Sequence, residues 1–117
     1  MELKDLQHWT RLDLSGNVEN LEYYVSEGMD YLALLRFKIT ADHLNDLTTA
    51  LGFTKPLRQN YQPFPVQLSE APSWWQPQNA QRFIGGSVLV PGLSRELLVD
   101  QTSPQAYTVY LRTYQVG

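Results

Sequence analysis

The order of hydrophobic and polar positions predicts the elements of the chain one after another. Leu3, Leu6 and Trp9 fall on one side of a short helical pattern, which the turn-forming run Ser15-Gly16-Asn17 ends. Leu21, Tyr23 and Val25 then alternate with Glu22 and Tyr24, as in a half-buried strand. Glu27-Gly28-Met29-Asp30 supplies a turn. The next run, Tyr31 to Ile39, places Tyr31, Ala33, Leu35, Phe37 and Ile39 on one face. Its other face begins apolar at Leu32 and Leu34 and ends charged at Arg36 and Lys38. The two runs read as a β-hairpin whose second strand is the longer and more central.

Thr40 to Gly52 reads as the clearest helix. Leu44, Leu47 and Leu51 form one apolar stripe, and Thr40 is placed to cap the free N–H groups of the first turn. Asp42 suits the positive end of the helix dipole, and Gly52 suits the left-handed position just past the C-terminus. A helix of about eleven residues with one stripe is not stable alone in water. It is therefore expected to lie on the face made by Tyr31, Ala33, Leu35, Phe37 and Ile39.

From Phe53 to about Arg82 no period holds. Five of the seven prolines, Pro56, Pro63, Pro65, Pro72 and Pro77, fall here together with Tyr61, Phe64, Trp74 and Trp75. Proline removes a ladder donor and fixes φ, so neither a central strand nor a long helix fits. A solvated linker would not carry four large aromatic rings, so the loop is expected to be packed. Beyond it, Phe83–Val90, Arg95–Asp100 and Ala106–Val116 read as three strands of an antiparallel meander, turned at Pro91-Gly92 and Thr102-Ser103-Pro104. Gly85-Gly86 marks a bulge or a close backbone approach. The expectation is an α+β domain over residues 1–117. It has a single antiparallel β-sheet of about five strands (β-β-α-long loop-β-β-β), one main helix packed on one face, and a packed loop at about 53–82.

Composition narrows the function more than the fold. At 117 residues, 43% apolar and 18% charged, the chain suits one folded domain and not a disordered one. Nine basic residues against twelve acidic ones argue against nucleic acid as a partner, which calls for a basic footprint. The absence of cysteine removes thiol nucleophiles, Cys-ligated zinc, iron–sulfur clusters and disulfides. No apolar run approaches the roughly 18 residues of a transmembrane segment. Met1–Trp9 lacks the apolar core of a signal peptide. The expected chain is soluble, either cytoplasmic or an exported or envelope domain whose leader is absent.

Candidate chemistry is sparse. His43, Asp42 and Asp46 share a helix surface, but a zinc site takes three or four convergent ligands and His8 lies far along the chain. They read as a solvated helix face, and no metal is expected. No serine sits in a G-x-S-x-G elbow, and Asp100 with Glu96 reads as a pair of strand-end acids. Gly85-Gly86 is not followed by the lysine of a phosphate loop. No catalytic residue and no cofactor is expected. The most specific run is Pro72-Ser73-Trp74-Trp75-Gln76-Pro77, where flanking prolines limit the entropy lost on ordering and two adjacent indoles project differently. One ring is expected to plug the part of the sheet that a single helix leaves open. The other is expected to form a recognition surface with Tyr61, Phe64 or Trp9. The candidate binding residues are Trp74, Trp75, Tyr61 and Phe64.

One resemblance covers most of the chain. It rests on Asn17–Tyr24, Asp30–Phe37, the helix from Asp42 to Gly52, Pro72–Pro77, Leu97–Asp100 and Val109-Tyr110-Leu111. This order of elements resembles that of small bacterial proteins of unknown function, some of them exported or lipid-anchored. The resemblance carries no catalytic or ligand residue, and the chain departs from the anchored members in having no lipobox cysteine and no leader. The leading functional expectation is a non-enzymatic module that binds a protein or peptide through the aromatic loop. The alternative is a small-molecule site or enzyme in a cavity between sheet and loop, with Tyr107, Tyr110, Tyr114, Arg112 and Arg36 as polar handles. A third is a structural domain that forms a homodimer through an unpaired edge strand.

Overall fold

Leu97, Leu98 and Val99 are consecutive and all fully buried. Side chains of a strand alternate between faces, so such a run requires a sheet covered on both sides. The computed structural model, which describes residues 2–13, 16, 18–27, 31–65 and 71–116, shows that arrangement. Six antiparallel strands form one sheet: β1 (Glu19–Glu27), β2 (Tyr31–Ile39), β3 (Arg58–Gln59), β4 (Phe83–Val90), β5 (Leu93–Asp100) and β6 (Tyr107–Gln115). Their spatial order is β1-β2-β6-β5-β4-β3, so the last strand in sequence lies in the interior of the sheet between the two hairpins. Two helices, α1 (Leu3–Thr10) and α2 (Leu44–Leu51), complete the α+β fold, with single 3₁₀ turns at Ala41–His43 and Pro77–Asn79. No described helix is long and apolar enough to cross a membrane.

The helices share one face. Ala33, Leu35, Phe37 and Ile39 of β2, Leu97 and Val99 of β5, and Val109 and Leu111 of β6 are buried there beneath Leu6, Leu12 and Leu51. The α2 stripe behaves as its spacing predicts, with Leu51 fully buried and Leu44 and Leu47 packed at the margin of the core. Gly52 takes φ +92°, and the N–H groups of Gly52 and Phe53 return to the carbonyls of Thr49 and Thr48, the hydrogen-bond pattern of a Schellman stop. The opposite face is closed by the loop: Phe64 and Trp75 lie over Leu34, Leu98 and Tyr110.

A pair of glycines lets the chain pass from one face to the other. After α2 the chain runs over the helix-bearing side of Gly86, pairs along the sheet edge as β3, and returns across the other side of Gly85. A Cβ on Gly85 would stand 2.2 Å from the Tyr61 carbonyl oxygen, and one on Gly86 would stand 3.0 Å from Leu57 Cδ2 and 3.2 Å from Phe53 Cε1. The doublet is therefore a close approach and not a bulge, and the β4–β5 register runs unbroken through it.

Several expectations are corrected. The sheet has six strands, not five, because Arg58–Gln59 pairs with Ile84 and Gly85 inside the loop read as irregular. Two residues are too few to show a period. The helix expected from Thr40 to Gly52 begins as the 3₁₀ turn, and Thr40 does not cap it, because its hydroxyl sits 2.7 Å from His43 Nδ1. The opening pattern is a full helix, so α2 is one of two. The hairpin strands are of equal length, nine residues each, and β2 is the inner one. Tyr31 is not part of the buried floor; it is 38% exposed, with its ring 5.4 Å from that of Trp9. The expected turns at 15–17 and 27–30 fall largely outside the described residues.

Arg95 ties the helices to the sheet. It is 3% exposed on the helix-bearing face and has no carboxylate within reach among the described residues. Its two terminal nitrogens donate to the carbonyls of Thr10 (2.7 Å) and Leu51 (2.6 Å), the last residues of α1 and α2. Carbonyls in the final turn of a helix lack internal partners and carry the negative end of the dipole, so one guanidinium satisfies both ends. Burial, followed by the nearby charge of Arg11, pulls the Arg95 pKa below the ordinary arginine value. Replacing Arg95 by Met should cost about 3–6 kcal/mol, two charge-assisted bonds at about 1.5–3 each. Thermal unfolding by circular dichroism should show a drop of more than about 10 °C, with Arg95→Lys recovering part of it.

Candidate functional site

The loop places its two indoles by a tight turn. The Trp75 N–H donates to the Pro72 carbonyl at 3.0 Å, and the adjacent side chains diverge from there. Trp75 is 7% exposed and meets Phe64 (ring centroids 4.9 Å apart), Tyr110 (5.4 Å) and Trp74 (6.2 Å) edge to face. Such pairs add about 0.5–1.5 kcal/mol each beyond the area they bury. Trp74 remains half-buried. Its carbonyl accepts a hydrogen bond from Arg36 Nη1 at 2.9 Å, and the same guanidinium lies 5.8 Å from the indole centroid.

Arg36 joins the loop to the sheet. Its other terminal nitrogen pairs with Glu22 of β1. Burial alone would lower its pKa, but the hydrogen bonds and charges of Glu22 and Tyr110 outweigh that and raise it above the ordinary arginine value. Tyr110 lies beneath Trp75, and burial pushes its phenol above the usual tyrosine range despite the opposing pull of Arg36. At neutral pH the phenol therefore keeps its proton.

Beyond the loop, the same face opens into a polar cleft of about 440 Å³ lined by Asn20, Glu22, Arg36, Phe37, Lys38, Thr108 and Tyr110. None of these residues belongs to the loop. Trp74 borders the cleft through its contacts with Arg36. Lys38 is exposed and has no ion-pair partner among the described residues. It also lines a second hollow of about 230 Å³ with Glu19, Thr40 and His43. On the adjoining helix turn the Thr40 hydroxyl bonds the exposed Asp42 carboxyl and, with the backbone N–H of Asp42, lowers its pKa.

The four residues singled out from sequence divide. Trp75 and Phe64 are core, Trp74 is half-buried beside them, and the half-buried Tyr61 ring packs under Arg58 at 4.6 Å. Trp9 lies on the helix-bearing face and is not part of this cluster. Of the expected handles, Arg36 and Tyr110 line the cleft. Arg112 is held by Glu96 at 2.6 Å, with Tyr114 stacked on its guanidinium at 4.5 Å, and Tyr107 packs against the core on the helix-bearing face. Sequence reasoning passed over Glu22, Lys38, Asn20 and Thr108. The charged end of the outer face of β2 was visible, but its neighbours come from β6, about seventy residues away. Asp100 holds the Thr102 N–H and hydroxyl at 2.9 and 2.6 Å, a turn contact. Among the described residues no group of three or more His, Cys, Asp or Glu could hold a metal ion. The site's own means are ion pairing, hydrogen bonding and aromatic contact.

No family model matches the chain, and neither does any curated protein or solved structure.

Two outcomes follow from these surroundings. Trp75→Ala should destabilise the fold by about 3–5 kcal/mol, as large core truncations do. Trp74→Ala should cost about 1–2 kcal/mol, because the carbonyl bond to Arg36 survives; urea unfolding would separate the two. The raised Tyr110 value fixes a sign as well. Stability from the protonated phenol is full below the unfolded pKa near 10 and is lost as pH rises through the higher folded value. Between about pH 9 and about pH 11 the parent chain should therefore lose more stability than Tyr110→Phe does.

Proposed function

We propose that the chain is a non-enzymatic binding module that takes an acidic peptide segment of a partner protein along the loop-bearing face. The observation that carries this reading is the meeting of three features in one place. Trp74, the half-exposed indole of the loop, stands beside a polar cleft, and that cleft holds the unpaired charge of Lys38 together with Arg36. Within the cleft lining Arg36 is paired with Glu22, while the exposed Lys38, opposite Glu19 in the β1–β2 register, makes no ion pair among the described residues and stays available to a ligand. A peptide carboxylate would pair with Lys38, main-chain and side-chain groups would bond Thr108, Asn20 and Tyr110, and an apolar side chain would rest on Trp74. Aromatic and arginine side chains at the centre of a contact supply most of its binding energy. The loop lies flat on Leu98 and Tyr110 instead of roofing a chamber, which favours an extended ligand over an enclosed small molecule.

Selection from a random peptide library on the immobilised full chain tests the proposal. Acidic peptides should be enriched, and Trp74→Ala and Lys38→Glu should each weaken the selected peptides at least tenfold while the far-ultraviolet spectrum stays unchanged. Failure to enrich acidic peptides, or binding indifferent to both substitutions, would overturn the reading.

A further inference from the structure

The two edges of the sheet are built differently. β1 forms one edge. It carries Glu19 and Glu22 and is bent by a register shift around Asn20, whose φ is +56°. Charge and irregularity are the devices that keep an edge strand from pairing with other chains. At the other edge, the part of β4 that runs beyond β3 has neither. β3 covers β4 only at Ile84 and Gly85, leaving Gly86–Val90 with no strand beside it. That stretch reads Gly-Ser-Val-Leu-Val, without a charge, and its Leu89 is 70% exposed.

Main-chain directions along β4 can be followed residue by residue. Asn60 N–H donates to the Phe83 carbonyl, so Phe83 points its polar groups away from β5. By the alternation of an antiparallel strand, Gly85, Ser87 and Leu89 do the same. Gly85 meets Arg58 of β3. Ser87 and Leu89 keep their outward N–H and carbonyl groups with no main-chain partner among the described residues. The segment from Phe53 to Leu57 does not supply one, for it runs over the helix-bearing face of Gly86.

We propose that this stretch binds a second copy of the chain, strand against identical strand, so that two sheets join into one. The register follows from what bounds the free window. Arg58 occupies the place opposite Gly85, and Pro91 ends the strand, so the window is Gly86–Val90 with Val88 at its middle. A two-fold axis at Val88 sets Ser87 opposite Leu89 of the second copy, and the two symmetric pairs exchange all the outward N–H and carbonyl groups of Ser87 and Leu89. Val88 then faces its own copy in a non-hydrogen-bonded pair. Charge selects the occupant and the edge. The uncharged stretch opposes no like charges when it meets itself, whereas β1 would bring Glu19 and Glu22 into any pairing with its own copy. This proposal stands on the sheet edge alone and is independent of the cleft.

Sedimentation of the full chain over a concentration series, with three variants, decides it. The expected mass rises to twice the 13.5 kDa of one chain. The chain has no native cysteine. Val88→Cys should therefore cross-link copies under mild oxidation, since a non-hydrogen-bonded antiparallel pair holds its Cα atoms about 4.5 Å apart, within disulfide reach. Ser87→Pro removes only an outward N–H and should leave a folded monomer. Leu89→Lys, at an exposed position, should do the same and carries the test if the proline variant fails to fold. A single-chain mass at every concentration overturns the proposal. So does a dimer that survives Leu89→Lys, or one that Val88→Cys fails to cross-link.

Discussion

The fold depends on a positive charge buried without a negative one. Arg95 lies under two helices and bonds the last carbonyl of each. Each helix is eight residues long, too short to persist alone in water. Their last carbonyls are polar groups that burial would leave unsatisfied, and Arg95 supplies donors to both. Desolvating a guanidinium is costly unless its nitrogens are bonded. The helices need the arginine, and the arginine needs the helix ends. Removing either side leaves the other in a worse state than solvent would, which binds distant parts of the sequence into one cooperative unit.

The loop-bearing face uses the same economy of parts with a different outcome. Arg36 is shared among Glu22, the Trp74 carbonyl and the Trp74 ring, so it fixes the loop without being fully enclosed. Trp75 and Phe64 provide apolar cover over β5 and β6. Cover stops where the loop stops, and the remaining part of the face keeps a polar lining. The candidate cleft is thus a consequence of how far one loop reaches. A long irregular segment can seal a sheet with two aromatic rings and still leave the neighbouring corner open.

What could be read from the sequence was what repeats. Alternation in Tyr31–Ile39 and Ala106–Val116 and the stripe Leu44, Leu47, Leu51 placed two strands and a helix, with Ala33, Leu35, Phe37 and Ile39 rightly on one buried face and Tyr31 wrongly with them, because those patterns express local geometry. The consecutive Leu97-Leu98-Val99 run reflects cover on both faces, which the expected single layer of helix did not provide for. β3 escaped detection because its two residues are too few to show a period. The aromatic loop was marked as packed, yet the face it covers could not be deduced, since that depends on the path past the Gly85-Gly86 doublet. The cleft was hidden for a related reason. Arg36 and Lys38 stood out as charges, but Thr108 and Tyr110 join them only through the β2–β6 pairing. Arg95 entered only as the first residue of a strand, and nothing local distinguishes it from an exposed arginine.

The interior position of β6 bears on how the molecule is made. Synthesis delivers the β1–β2 hairpin first and the β4–β5 hairpin later, and each is without its inner neighbour until the last strand arrives. Leu35 meets Leu111 and Leu97 meets the same residue from the other side, so neither half can complete its core on the ribosome before that stretch has emerged. Until then two apolar strand edges, those of β2 and β5, face the cell uncovered. Contacts of such long sequence separation also form slowly, because loop closure precedes any gain from them. A nascent chain of this kind is most exposed to misassembly in the interval before β6 inserts, and its dependence on chaperones should be concentrated there.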